Sequence, residues 1–155
     1  VRHPLDSWLS ILANQWHRHF AGADLASFCR RALRMLDACQ DMPWLRYEEF
    51  SLNPASALQA MANVLQLEPM NSSLRNDDIQ AIQLSGDSGR RADVISARPR
   101  RPILENQKSD IQKALDGGAD SSYLRLCHRL GYNPDPAAAH PFLSLNADLP
   151  HRLEL

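Results

Sequence analysis

Four residues near the start of the chain, Arg2, Pro4, Asp6 and Ser10, have types and spacing suited to holding an anion. Pro4 fits the first position of a helix: its ring presets φ, and its missing N–H is one that a helix start leaves unpaired. Val1 to His3 read as the last step of a strand entering that helix. First-turn N–H groups point outward and carry the positive end of the helix dipole. Arg2 stands just before them with a planar fork of donors. Ser10 lies eight residues beyond Arg2, a little over two turns at about 3.6 residues per turn, which returns it to nearly the same side of the axis. A cation, a helix start and a hydroxyl are the parts of a phosphate site. The same residues also make an ordinary helix start beside a solvated arginine. Local chemistry leaves both readings open.

A second stretch with phosphate chemistry runs from Ser85 to Pro102. It contains Ser85-Gly86-Asp87-Ser88-Gly89-Arg90-Arg91 and Arg98-Pro99-Arg100-Arg101-Pro102. Gly-Ser steps expose backbone N–H groups, and arginine supplies bidentate donors. Pro99 and Pro102 keep its end extended. A loop this long inside a domain either carries function or serves as a basic linker, and composition fits both.

The elements that would position these residues follow from periodicity. Leu5, Trp8, Leu9, Leu12, Trp16 and Phe20 recur at helical spacing and predict one buried stripe on a helix from Pro4 to Phe20. Gly22 can take a left-handed cap. Asp24 caps a second helix to about Gln40, with Leu25, Phe28, Cys29, Ala32, Leu33, Leu36 and Cys39 inward. Trp44 to Phe50 reads as a short strand and turn. Asn53-Pro54 opens a third helix to about Leu65, with Leu58, Met61, Ala62 and Leu65 buried. A short helix from Asn76 to about Leu84 precedes the arginine-rich stretch. Glu105 to Leu115 and a final helix that Asp120 or Ser121 starts and that runs through Leu130 are the last helices, stopped by Gly117-Gly118 and Gly131. From Asn133 onward the chain is Pro-rich and aperiodic, a tail over 133–155. No internal repeat is visible.

Composition narrows the function classes. At 155 residues the chain is long enough for one domain with a core. A net charge of −1 argues against a sequence-independent nucleic-acid binder. The apolar runs are too short to span a bilayer, so no transmembrane segment is expected. Cys29, Cys39 and Cys127 are an odd count without paired spacing, which reads as free thiols and a cytoplasmic protein. His17 and His19 do not share a helix face, and no metal site is expected.

Taken in order, these landmarks resemble the sulfotransferases that use 3′-phosphoadenosine 5′-phosphosulfate (PAPS), in their bacterial-type form. The family's 3′-phosphate segment reads Arg, a variable residue, Pro, a variable residue, Asp, three variable residues, then Ser. Arg2, Pro4, Asp6 and Ser10 fit every position of it. The resemblance assigns Arg2 and Ser10 to the 3′-phosphate. Tyr47-Glu48-Glu49-Phe50 is similar to a Tyr-Glu-Asp-like step at the end of a strand, which makes Tyr47 a nucleotide contact; Glu49 stands where Asp is more usual. Ser-Gly-Asp-Ser-Gly-Arg with Arg-Pro-Arg-Arg-Pro looks like the donor-binding loop, with Arg90 as its main 3′-phosphate contact and Ser88, Gly89 and Arg98 as further ones.

The resemblance covers about residues 1–132. It implies an α/β fold, a P-loop NTPase-like parallel sheet flanked by helices, of which this chain is a mostly helical C-terminal part. The chain opens on Val in what reads as mid-strand, and few strands are predicted, so earlier sequence is expected. The implied reaction moves a sulfuryl group from PAPS to an acceptor hydroxyl or amine. The family's Gly- and Ser/Thr-rich loop for the 5′-phosphosulfate and its catalytic base, usually His or Glu, have no counterpart here. No catalytic residue is therefore named, and the chain alone is expected to be inactive. Sequence leaves the acceptor and the oligomeric state open. A nucleotide-kinase-like enzyme and a non-catalytic helical interaction domain are the alternatives.

Overall fold

Side-chain caps set where four of the described α-helices begin. In the computed structural model, which describes residues 1–19, 21–67, 99–138, 141–142 and 152, His3 caps α1 (Pro4–Ala13) and Asp24 caps α2 (Leu25–Ala38). Asn53 caps α4 (Pro54–Val64), which follows α3 (Tyr47–Leu52). Ser121 caps α6 (Ser122–Arg129), which follows α5 (Glu105–Asp116). Each capping side chain accepts a backbone N–H that the first turn would leave unpaired.

The described residues are mostly helical and contain no named strand; Tyr132 and Phe142 are joined by an isolated antiparallel bridge. Two expectations are corrected here. Val1 to His3 form no strand step. Trp44 to Phe50 is not a strand and turn: the chain becomes helical at Tyr47. Glu48 and Glu49 favour that first turn through the helix dipole, and Glu49 accepts from the Arg46 guanidinium at 2.7 Å.

The chain divides into two units, 1–42 with 100–152, and 43–99 with 153–155. In the first unit α2 and α6 pack most extensively, with α5 against both and α1 touching each. Ser122 Oγ donates to the Ala26 carbonyl at 2.9 Å, and Arg129 pairs with Asp37. These ties join start to start and end to end, so α2 and α6 run parallel. Leu5, Trp8 and Leu9 of α1, Leu25, Cys29 and Leu33 of α2, and Tyr123, Leu126 and Cys127 of α6 are buried. Residues 133–136, expected to begin a tail, are tied to this unit: Pro134 O accepts from Tyr123 Oη at 2.7 Å and Pro136 O from Arg100 at 2.6 Å.

The first helix is shorter than its apolar stripe predicts. α1 ends at Ala13, Gln15 turns the chain with φ of +59°, and a 3₁₀ turn covers Trp16–His19. Trp16 is therefore 44% exposed, not buried, and Phe20 lies outside the described residues. In the second unit Ala57 and Ala62 are buried, whereas Met61 and Leu65, expected inside, are exposed. Leu65 falls just past the helix end, where the 3.6-residue period no longer fixes its direction.

Candidate functional site

The start of α1 is built around His3. Its side chain is fully buried. Nδ1 accepts the Leu5 N–H at 3.2 Å, so the ring proton sits on Nε2, which donates to the Asn133 carbonyl at 3.0 Å. The His3 ring lies 5.0 Å from that of Tyr132 at 60°, and Tyr132 stacks on Phe142 at 5.8 Å.

These bonds change what the helix start can offer an anion. Pro4 has no N–H, the Leu5 N–H goes to His3 Nδ1, and the Ser7 N–H goes to the His3 carbonyl at 3.0 Å. The Leu5 and Ser7 amides are thus spent inside the fold, which leaves an anion here more dependent on side chains.

Arg2 and Ser10 are those side chains, and both are half-buried in the first unit. Ser10 stands about 9 Å beyond Pro4 along the axis at 1.5 Å per residue. One phosphate reaches both residues only when the Arg2 side chain lies back along α1. Ser10 Oγ accepts a long bond from Asn14 Nδ2 at 3.5 Å, and the Ser10 carbonyl accepts the Asn14 N–H at 3.0 Å.

Asp6 faces the same turn. Its Oδ2 is 4.0 Å from His3 Nδ1, so the carboxylate is turned back over the helix start. Arg100 Nε donates to Asp6 Oδ1 at 2.8 Å, with Nη2 at 3.5 Å from Oδ2. Arg100 Nη1 donates to the Pro136 carbonyl.

Tyr47 is the first residue of α3 in the second unit, 36% exposed, and follows the buried Arg46. Ser88, Gly89, Arg90 and Arg98 lie outside the described residues. Sequence reasoning passed over His3, Arg100, Tyr132 and Asn133. For His3 a signal existed: the residue before a first-position proline is the cap, and an imidazole nitrogen can accept an N–H there.

Buried thiols contribute no nucleophile. Burial pushes the Cys29 thiol far above its ordinary value and Cys127 up to about 12, so both hold their protons at neutral pH. His128 is exposed at the end of α6. Among the described residues no group of three or more His, Cys, Asp or Glu side chains could hold a metal ion. Among them, too, no helix is long and apolar enough to cross a membrane.

No family model, curated protein or solved structure matches the chain.

Proposed function

We propose that this chain supplies the 3′-phosphate and adenosine side of the donor site of a PAPS-dependent sulfotransferase. One observation carries the reading: α1 begins at Pro4, with Arg2 immediately before the cap and Ser10 on the same helix. That is the framework the Arg2-Pro4-Asp6-Ser10 pattern requires. On this reading the helices flank a P-loop NTPase-like parallel sheet, Tyr47 meets the nucleotide, and the Arg90 loop with Ser88, Gly89 and Arg98 completes the phosphate contacts. The protein works in the cytoplasm on an acceptor hydroxyl or amine.

The chemistry asked of these residues is anchoring. In sulfuryl transfer negative charge grows on the bridging oxygen of the leaving phosphate, which placed cations and donors stabilise. Arg2 and Ser10 address the opposite end of the donor. They fix its position and lower the barrier through orientation rather than bond-breaking.

Calorimetric titration of the full-length protein with adenosine 3′,5′-bisphosphate tests this. Arg2→Ala removes a charge-assisted contact and should weaken binding about tenfold or more. Absence of binding by the wild type, or equal binding by both proteins, overturns the reading in favour of a helical interaction domain.

A further inference from the structure

We draw no further inference here: the strongest candidate, the surface patch of exposed Met61, Val64 and Leu65 at the end of α4, is an unpartnered apolar face, and nothing among the described residues shows what covers it.

Discussion

His3 Nε2 donates to the carbonyl oxygen of Asn133 at 3.0 Å, joining residues 130 positions apart in the sequence. The opposite ring nitrogen caps α1 through the Leu5 N–H. One neutral imidazole therefore fixes both the start of the first helix and the path of the chain after the last. A side chain that could only accept, or only donate, would do half of this.

Removing that ring should cost more than a cap alone. We expect His3→Ala to destabilise the protein by about 2–3 kcal/mol, of which roughly 1 is the cap and the rest the long-range hydrogen bond and lost packing on Tyr132. His3→Asn keeps a capping acceptor and should recover roughly 1 kcal/mol of it. Urea unfolding of the three proteins measures this. A His3→Ala loss under about 0.5 kcal/mol would show that the ring is not holding the two segments together.

The two tryptophans of the first segment should behave oppositely. Trp8 is 2% exposed and its indole N–H donates to the Ala23 carbonyl at 2.8 Å, whereas Trp16 is 44% exposed. Trp8→Ala should cost about 3–5 kcal/mol, and Trp16→Ala no more than about 0.5. In single-tryptophan variants with Trp44 also replaced, iodide should quench Trp16 strongly and Trp8 weakly. Equal quenching would contradict the early end of α1.

These tryptophans also mark where sequence is legible. Helix starts were readable because each depends on one or two local residues: Asp24 and Asn53-Pro54 cap where their chemistry says they should, and of Asp120 and Ser121 it is Ser121 that caps α6. The end of α1 was not, because apolar spacing continues through Trp16 while Gln15 adopts a left-handed conformation that nothing in the pattern announces. The aromatic and apolar residues of Trp44 to Phe50 suit a short strand and turn, yet the chain is helical from Tyr47. Without a sheet partner among the described residues, Glu48, Glu49 and the Arg46 contact favour a turn of helix instead. At the candidate site, Arg2 and Ser10 were visible as a local pattern. The bonds from His3 to Asn133 and from Asp6 to Arg100 span 130 and 94 residues. Periodicity does not encode such pairings.

Asp24 gives an acid-dependent prediction. Burial alone would raise its carboxyl, but the hydrogen bonds from the Ser27 side chain and N–H outweigh it and hold the group below its ordinary 3.8. A depressed folded value means the unfolded state takes up the proton first, so the stabilisation is complete above about pH 4 and is lost as pH falls through the folded value. Asp24→Asn keeps the cap without the charge. The gap between wild type and this variant should narrow or invert between about pH 4 and 2, followed by urea unfolding at each pH. Asp24→Ala should cost about 1 kcal/mol at neutral pH. A gap independent of pH would deny the charged cap its role.

The buried thiols set the alkaline side. For Cys29 burial is the largest cause of the raised value, and the neighbouring Cys127 raises it further. For Cys127 burial outweighs the lowering by the Tyr123 hydroxyl and Arg100. Burial likewise pushes the Tyr123 hydroxyl above its ordinary 10.0. Raised folded values mean that unfolded chains lose these protons first as pH climbs. The stabilisation is fully present below the ordinary thiol value of 9.0 and is lost progressively above it. Melting temperature should therefore fall steeply above about pH 9, and a Cys29→Ala/Cys127→Ala variant should be less stable at pH 7 but flatter in that range. The same burial predicts the labelling order. Half-buried Cys39 should react with a thiol reagent in the native protein, while Cys29 and Cys127 wait for opening of the α2–α6 pair. If all three thiols labelled at one rate under native conditions, the parallel packing of α2 on α6 could not be what shields two of them.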